Sequence, residues 1–238
     1  MIEKKVIIIP TYNEAENIGG LIEEIFFLNI QNLQVIIVDD NSQDGTASIV
    51  SNLAQKFDIV LIKRPAKLGL GSAYISGFRA ALASGADLIF EMDADFSHNP
   101  KLLPKFIKAI QDGAEVVIGS RRVAGGQIIG WGVWRHFCSS AASWFSRLVL
   151  GLKTLDVTSG YRCYSRTVLE KINLDKIKSN GYAFQEEMIY YCEQNGFRIK
   201  ELPIVFQDRI KGRSKLSRKE VVAFFITMFR LKFLTNGR

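Results

Sequence analysis

Short apolar runs rich in β-branched residues alternate with segments of helical spacing along the first half of the chain. The runs have the length of buried strands and end at turn residues. They predict strands at residues 4–9, 34–38, 59–63, 88–92 and 115–119. The segments between them predict helices at residues 14–28, 46–57, 72–84 and 100–111. Strands and helices that alternate at this pace predict an α/β fold with a mostly parallel sheet and right-handed crossovers.

The alternation fades after Gly125, where the sequence becomes helical and amphipathic. Apolar residues form a helical stripe from Phe137 to Leu152, and Val221–Leu234 is apolar almost all round with basic flanks. No run approaches the roughly 18 uncharged residues that cross a bilayer. The N-terminus also lacks the cleavage site of a secretory signal. The chain is therefore expected to have no signal peptide and no transmembrane span.

The positive charge of the chain is concentrated at one end. Its formal net charge is +7, but from Arg198 onward eleven Lys and Arg residues face three Asp and Glu residues, a local charge of +8. This excess predicts an anionic partner, with a solvated face as the alternative. The 238 residues, 47% of them apolar, suffice for one sizeable core. The three scattered cysteines predict reduced thiols of a cytosolic protein.

Ligands of parallel sheets bind beyond the carboxyl ends of the strands, so the residues there are the most informative about function. Asp93 and Asp95 follow the fourth predicted strand at positions i and i+2. Two carboxylates held together repel each other unless a cation lies between them, and Mg²⁺ or Mn²⁺ holding phosphate oxygens would suit this pair. The alternative is a pair of turn-forming aspartates before the helix predicted at residues 100–111.

A second acidic pair, Asp39-Asp40, follows the second predicted strand. Such carboxylates suit hydrogen bonds to a ribose or a base edge, with Glu14 adding to the site and Tyr12 stacking on a base. The alternative is that this segment only builds a turn and a helix N-cap. The Lys67–Gly71 segment resembles a glycine-rich phosphate loop, but packing and turn use explain it equally well.

Near the C-terminus, Arg209–Lys215 has four cations within seven residues around a glycine. A segment of this kind can close over a pyrophosphate or a lipid phosphate. The alternative is a solvated basic loop. His98 and His136 are isolated, and no Ser-His-Asp or Cys-His set for nucleophilic catalysis stands out.

Together these motifs resemble those of glycosyltransferase family 2, and most closely its dolichol-phosphate (polyprenol-phosphate) mannose synthase branch. The early motifs are PTYNE at 10–14, VDDNSQDGT at 38–46, KLGLGSAY at 67–74 and MDADFSH at 92–98. The later ones are GSR at 119–121, DVTSGYR at 156–162, GYAFQ at 181–185 and the segment from DR at 208–209 to SKL at 214–216. The resemblance implies a GT-A fold: a Rossmann-like, mostly parallel sheet with helices on both faces, followed by amphipathic C-terminal helices.

The resemblance also implies roles for individual residues. Those expected to bind a nucleotide-sugar are Pro10, Tyr12, Glu14, Val38, Asp40, Asp93, Ala94, Asp95, Arg121, Arg209 and Lys215. Asp93 and Asp95 are the expected catalytic residues and metal ligands. Arg135 and Ser139 match positions expected to meet the acceptor phosphate. Ser97 stands where some members have Gln, which leaves a third protein ligand of the metal open.

The implied activity is inverting transfer of mannose from GDP-mannose to dolichyl or polyprenyl phosphate, with Mg²⁺ or Mn²⁺ as cofactor. A phosphate monoester is already ionised at neutral pH, so we expect no catalytic base. Glu186 and Glu187 occupy the region where relatives that act on hydroxyls often place a base. Here both are expected to have a supporting role.

A lipid acceptor implies peripheral binding to the cytoplasmic face of a membrane, directly through residues 137–152 or 221–234, or by way of small membrane subunits. Packing of both stretches on the core is the alternative. Residues 1–217 are expected to form the catalytic domain, and residues 218–238 an amphipathic, basic segment at the membrane interface.

Other functions stay open on the sequence alone. The first is a polyprenyl-phosphate glucosyltransferase that uses UDP-glucose. The second is a transferase with a soluble or polysaccharide acceptor, which would need a base and would leave the C-terminal cations unexplained. The third is a basic module that binds membranes or nucleic acid without catalysis. That module would leave the acidic strand ends unexplained, and the tail lacks the base-stacking pattern of known readers, so nucleic acid is not expected as a partner.

Overall fold

The computed structural model describes residues 3–181, 183–208 and 218–234. The predicted site residues Arg209 and Lys215 lie outside the described residues. The strands are β1 (Lys5–Thr11), β2 (Leu33–Asp39), β3 (Ile59–Lys63), β4 (Leu88–Glu91), β5 (Val116–Ser120), β6 (Gln127–Ile129), β7 (Arg162–Ser165), β8 (Ile199–Pro203) and β9 (Val205–Gln207). The helices are α1 (Ala15–Phe27), α2 (Thr46–Leu53), α3 (Leu70–Ala83), α4 (Leu103–Gln111), α5 (Val133–Leu150), α6 (Arg166–Lys171), α7 (Ala183–Gln194) and α8 (Arg218–Leu234).

Seven strands form one sheet in the order β3-β2-β1-β4-β7-β5-β8. The neighbouring strands are parallel except at β7, which runs antiparallel to both β4 and β5. The predicted mostly parallel sheet is therefore confirmed, and each of the five predicted strands ends within two residues of β1 to β5. A separate parallel pair is formed by β6 and β9.

The antiparallel strand β7 was not predicted from the sequence. It is only four residues long and begins with the charged residue Arg162, so it lacks the apolar run that marks the other central strands. Its position is set by long-range pairing, since Arg162 lies opposite both Glu91 of β4 and Ile118 of β5. Whether such a short segment forms a strand depends on its neighbours in the sheet rather than on its local propensity.

Both faces of the sheet are covered by helices. Successive side chains of a strand point to opposite faces, so β1 contributes to two separate clusters. On one face Ile7 packs in a cluster with Leu21 of α1 and Phe106 of α4. On the other face Ile8 packs in a cluster with Phe78 of α3 and residues of α5 to α8. The predicted arrangement of helices on both faces is confirmed.

The register of the parallel strands brings the predicted site segments to one edge. Pro10 at the end of β1 pairs with Val38 at the end of β2. The backbone N–H of Met92, the first residue after β4, donates a hydrogen bond to the carbonyl oxygen of Ile8 at 3.1 Å. The segments that follow β1, β2 and β4 therefore begin side by side.

Helix α8 lies within the segment predicted to be distinct at the C-terminus, and it packs partly on the rest of the molecule. Met228 and Leu231 are buried, whereas Ile226 and Phe229 are exposed. Within the described ranges, no helix has the length and apolar character needed to cross a bilayer. The domain boundary at residue 217 stays a prediction.

Gly77 brings α3 close against Ile8 of β1. A Cβ atom at this position would overlap the Cγ2 methyl of Ile8, which is held in a buried, β-branched strand position. A methyl group cannot be added there unless α3 moves away from β1.

We expect Gly77→Ala to lower the free energy of unfolding by about 1–3 kcal/mol, the usual cost of overpacking a core. Urea denaturation of the purified protein measures this change. Gly19→Ala in α1 is the matched control, because a Cβ there would lie 3.5 Å from Ile49 Cγ2, an ordinary contact. The control should be neutral or stabilising by up to about 1 kcal/mol, since Ala favours a helix over Gly. Equal losses in both variants would contradict the close approach of α3.

Candidate active site

Three of the predicted nucleotide-binding residues lie at the end of β1 and in the loop after it: Pro10 is in the strand, and Tyr12 and Glu14 follow it. Val38, the strand partner of Pro10, is fully buried. Tyr12 is 40% exposed, and the Nζ atom of Lys67 lies 3.9 Å from the centroid of its ring. An ammonium at this distance is attracted to the ring face. The structure thus brings the Lys67 segment to the same edge as the loop after β1.

Asp39 builds a turn at the end of β2. Its carboxylate accepts hydrogen bonds from the hydroxyl of Thr11 at 2.8 Å, and from the N–H and hydroxyl of Ser42 at 3.0 and 2.6 Å. These bonds tie the ends of β1 and β2 together. Asp39 therefore has a turn-building role, which is the alternative to nucleotide binding that the sequence left open for this segment.

Asp40 instead holds the loop that follows β3. Its Oδ1 atom pairs with the guanidinium of Arg64, and its Oδ2 atom accepts the N–H groups of Leu68 and Gly69, both at 3.1 Å. Arg64 also donates to the hydroxyl of Ser72 at 2.7 Å. Sequence reasoning missed Arg64, although its position directly after β3 placed it at this edge. Contact between Asp40 and a nucleoside stays a prediction.

Asp93, Ala94 and Asp95 follow β4 at the middle of the sheet edge. Asp93 is the more accessible carboxylate, with 32% of its side chain exposed, while Ala94 and Asp95 are buried. The hydroxyl of Tyr74 donates to Asp93 Oδ1 at 3.3 Å, and the backbone N–H of Asp93 donates to Nδ1 of His98 at 3.0 Å. In a neutral imidazole the proton then lies on Nε2, which is 3.9 Å from Asp93 Oδ2.

The oxygen atoms after β4 fit a hard divalent cation. Asp95 Oδ1 accepts the N–H of Ser97 at 3.1 Å, which orients this carboxylate. The Ser97 hydroxyl is buried and has no hydrogen-bond partner among the described residues. Those residues contain no group of three or more His, Cys, Asp or Glu that could hold a metal ion. Mg²⁺ commonly binds one or two carboxylates and completes its shell with phosphate oxygens and water, which the pair Asp93 and Asp95 allows.

A buried polar layer lies behind the acidic pair. Glu91 accepts a hydrogen bond from Nε2 of Gln185 at 2.8 Å. The guanidinium of Arg162, fully buried, donates to the carbonyl oxygens of Val157 and Ser159 at 2.8 Å and of Gln185 at 2.9 Å. Burial raises the pKa of Glu91 to about 7, against the opposing charge of Arg162. Sequence reasoning missed Glu91 because it lies inside the apolar run of a strand.

The two glutamates at the start of α7 differ in their surroundings. Glu187 is fully buried, forms an ion pair with Arg230 of α8 at 2.6 Å, and accepts the N–H of Ser179 at 2.8 Å. Glu186 is 1% exposed, and its Oε2 atom has no hydrogen-bond partner among the residues that the structure describes. Burial raises the pKa of Glu186 to about 8, against the charge of Arg162. Glu186 is therefore mostly protonated at neutral pH.

Arg121, which follows β5, is held by a buried carboxylate. Its backbone N–H, Nε and Nη2 donate to Asp156 at 2.8, 2.7 and 2.6 Å. Burial alone would raise the pKa of Asp156, but the hydrogen bonds and charge of Arg121 outweigh it and lower this pKa. The guanidinium also lies 5.3 Å from the ring of Phe206 and 5.7 Å from that of Trp131. Its contact with a phosphate or sugar stays a prediction.

The two predicted acceptor-phosphate residues both lie on α5. Arg135 donates to the two carboxylate oxygens of Asp208 at 2.8 and 2.7 Å, and its guanidinium lies 4.2 Å from the ring of Trp131. The hydroxyl of Ser139 accepts a hydrogen bond from Nη2 of Arg122 at 3.0 Å. Sequence reasoning missed Arg122 as a site residue, although it follows Arg121 directly at the end of β5.

Aromatic rings join the acidic and basic parts of the edge. His98 stacks on Tyr161 with ring centroids 5.0 Å apart and meets the edge of Phe206 at 6.1 Å. Phe206 in turn contacts Trp131 at 5.6 Å. The carboxylates after β4 and the guanidiniums after β5 thus belong to one continuous site. Such a site can hold a metal-bound diphosphate at one end and a second anion at the other.

The fold is similar to that of glucosyl-3-phosphoglycerate synthase from Mycobacterium tuberculosis. The structure of that enzyme with Mn²⁺, UDP and glucosyl-3-phosphoglycerate superposes with a TM-score of 0.70 at 18% identity, covering 97% of this chain and 80% of its own. Its complex with Mg²⁺ and UDP gives a TM-score of 0.72 at 17% identity, with the same coverage. At these identities the likeness establishes the fold, and the predicted GT-A type architecture is confirmed.

Relatives in sequence cover most of the chain. Polyprenol monophosphomannose synthase of Mycolicibacterium smegmatis is 40% identical over 217 residues, which are 90% of this chain and 82% of the relative. Undecaprenyl-phosphate mannosyltransferase of Micrococcus luteus is 43% identical over 211 residues, 88% of this chain and 86% of the relative. Residues 6–173 match the profile of glycosyl transferase family 2. As its motifs predicted, the chain belongs to glycosyltransferase family 2.

Proposed function

We propose that the protein transfers mannose from GDP-mannose to a polyprenyl phosphate, dolichyl phosphate included, with inversion at the anomeric carbon. The observation that carries this proposal is the pairing of an acidic segment after β4 with an arginine-rich segment after β5 in one continuous site. Two phosphorylated substrates, one bound through a metal ion and one bound directly, require such a division of charge. The names of the two mannosyltransferase relatives support mannose as the sugar and a polyprenyl phosphate as the acceptor.

At the donor end, Asp93 and Asp95 would hold Mg²⁺ or Mn²⁺. The bound ion would neutralise the diphosphate that leaves. The nucleoside is proposed to contact Pro10, Tyr12, Glu14, Val38 and Asp40. Ala94 is proposed to contact the diphosphate-sugar together with the two aspartates. The exposed Tyr12 ring supports this arrangement because it offers a stacking surface beside the loop that Asp40 holds.

At the acceptor end, an oxygen of the phosphate monoester attacks the anomeric carbon, and the bond from that carbon to the diphosphate breaks. The attacking oxygen is already ionised, so no proton has to be removed. The state of the two candidate bases supports this view. Glu187 forms an ion pair with Arg230, and Glu186 is mostly protonated at neutral pH. A carboxyl group with a pKa of about 8 is ionised, and so able to accept the proton of an attacking hydroxyl, in only a small fraction of molecules at neutral pH.

The exposed apolar side chains of α5 and α8 are proposed to meet the headgroup region at the cytoplasmic face of a membrane. Those on α5 are Val133, Trp134, Phe137, Trp144 and Leu148, and those on α8 are Val222, Phe225, Ile226, Phe229 and Phe233. Ring contacts of Phe145 with Phe224 and Phe225, at 6.1 and 5.3 Å, join the two helices. Aromatic surfaces with basic flanks suit the boundary of an anionic leaflet. Small membrane subunits are the other candidate occupants.

The first test measures transfer of radiolabelled sugar into an organic-extractable product, with a polyprenyl phosphate, Mg²⁺ or Mn²⁺, and either GDP-mannose or UDP-glucose. We expect label only from GDP-mannose, and we expect Asp95→Ala to lower transfer at least about a thousandfold, because the diphosphate loses its metal. The matched control Asp112→Ala removes an exposed carboxylate far from the site and should keep wild-type transfer.

Label only from UDP-glucose would overturn the donor assignment, and wild-type turnover of Asp95→Ala would remove the metal from the mechanism. Circular dichroism of Asp95→Ala distinguishes loss of chemistry from loss of fold.

The second test measures binding of the purified protein to vesicles of phosphatidylcholine with phosphatidylglycerol. We expect the double variant Ile226→Ser with Phe229→Ser to bind at least about tenfold more weakly, since each exposed side chain would lose its burial in the headgroup boundary. Phe27→Ser is the control, because Phe27 is equally apolar and 81% exposed on α1. Binding of the wild-type protein to native membranes but not to pure lipid vesicles would favour a membrane subunit instead.

The third test follows stability against pH in Glu186→Gln. Below about pH 4.5 both the folded and unfolded forms keep this proton, but between that pH and about 8 only the folded form does. The contribution of Glu186 to stability is therefore lost as the pH rises. Glu186→Gln should gain stability over the wild type as the pH rises from 5 to 8, by at most about 1.4 kcal/mol per pH unit. Urea unfolding at each pH measures the difference, and Glu23→Gln on α1 serves as control. A constant difference would mean that Glu186 is ionised.

A further inference from the structure

Two guanidiniums that follow β5, Arg121 and Arg122, approach the carboxylate of Asp156, and a third guanidinium, Arg147, lies in the last turn of α5. Arg121 donates three hydrogen bonds to the carboxylate of Asp156, at distances between 2.6 and 2.8 Å. The Nε atom of Arg122 lies 3.9 Å from the same carboxylate, too far for a hydrogen bond. Arg147 is close enough for its charge to act on Arg122. The cluster of Arg121, Arg122 and Arg147 therefore carries two positive charges more than its carboxylate neutralises.

Buried donors in the same region lack acceptors. The Nε atoms of Arg122 and Arg147 and the Nε1 atom of Trp131 are buried, and none has a hydrogen-bond partner within residues 3–181, 183–208 and 218–234. Buried N–H groups are nearly always satisfied in folded proteins, so several together indicate that an acceptor is supplied from outside the described residues. An anion with several oxygen atoms would supply it.

Two hydroxyls complete the donor set. Arg122 donates from Nη2 to the hydroxyl of Ser139 at 3.0 Å and from Nη1 to that of Ser140 at 3.1 Å. Since both serines accept from Arg122, their own protons are available to a further acceptor. A planar guanidinium flanked by hydroxyls matches the geometry of a phosphate group.

Arg135, by contrast, has its guanidinium engaged by both oxygens of Asp208 and by the Trp131 ring. Burial lowers the pKa of Arg122, Asp156 opposes this, and the like charges of Arg121 and Arg147 lower it further. A bound anion would relieve that repulsion. An anionic ligand would therefore stabilise the charge of Arg122 more than that of Arg135, which already has a carboxylate partner.

We propose that Arg122 binds the phosphate of the acceptor, with Ser139 and Ser140 as hydrogen-bonding partners and Arg147 adding positive charge. The same end of α5 exposes Trp134 and Phe137, at 75% and 63%, so the ligand is a phosphate monoester that carries an apolar chain. This assignment rests on the proposed function.

The test is equilibrium dialysis of the full chain with radiolabelled farnesyl phosphate, a short soluble prenyl phosphate, in the absence of any sugar donor. Arg122→Gln should weaken binding at least about tenfold, because a charge-assisted contact is lost. Binding of farnesol, which lacks the phosphate, should be unchanged. Arg79→Gln is the matched control. Arg79 is an exposed arginine on α3 that pairs with Asp175, so its substitution should leave both affinities unchanged.

Unchanged binding of farnesyl phosphate to Arg122→Gln would overturn the proposal, and so would equal affinity of the wild-type protein for farnesyl phosphate and farnesol. The double variant Ser139→Ala with Ser140→Ala provides a second arm, expected to weaken farnesyl phosphate at least about threefold. Thermal unfolding shows whether each variant is folded before its affinity is read.

Two further arms separate the sources of the phosphate. Inorganic phosphate that displaces farnesyl phosphate only at far higher concentration supports an acceptor site, whereas equal affinities would overturn it in favour of a general anion site. Loss of binding to phosphatidylglycerol vesicles in Arg122→Gln, with farnesyl phosphate binding intact, would assign the cluster to membrane headgroups. The dialysis contains no sugar donor, so it tests binding alone. Intact binding of farnesyl phosphate, together with no sugar transfer in the radiolabel assay, would overturn the proposed function and leave this inference standing.

Discussion

The site depends on a buried guanidinium. Arg162 lies in the middle of the sheet on β7 and donates to three backbone carbonyl oxygens, two in the segment before β7 and one at Gln185 of α7. A charge taken out of water is tolerated only when its donors are matched, so the segment, the helix and β4 must pack around it in one arrangement. Because Asp93 follows Glu91 by two residues, the acidic pair takes its position from this buried layer.

The reversed direction of β7 explains how the acidic and basic halves of the edge are connected. Since β7 runs antiparallel to β4 and β5, it begins at the edge where those two strands end. The segment that leads into β7 therefore lies on that edge, and it carries Asp156 to Arg121 and Tyr161 to His98. A parallel strand in the same place would have put this segment on the opposite side of the sheet.

Local sequence was enough to predict the parallel part of the fold and the positions of the charged segments, but not their partners. Strands β1 to β5 are apolar runs that end at turn residues and alternate with helices, so their pattern is readable within a short window. The pattern of β7 is not readable in this way, because its first residue, Arg162, is a charged residue whose partners are distant in sequence. The same holds for the site. The edge position of Asp40 followed from the strand before it, whereas its pairing with Arg64 depends on the path of another loop.

Helix α8 is joined to the loop that follows β3 by a short series of contacts. Arg230 pairs with Glu187, which also holds the N–H of Ser179, and the adjacent Asn180 donates to the carbonyl oxygen of Leu68 at 2.6 Å. Trimming the chain ahead of Arg230 to improve its solubility would leave a buried carboxylate without its cation, a change that is strongly destabilising in protein interiors. The ion pair between Arg230 and Glu187 therefore ties the C-terminal helix to α7.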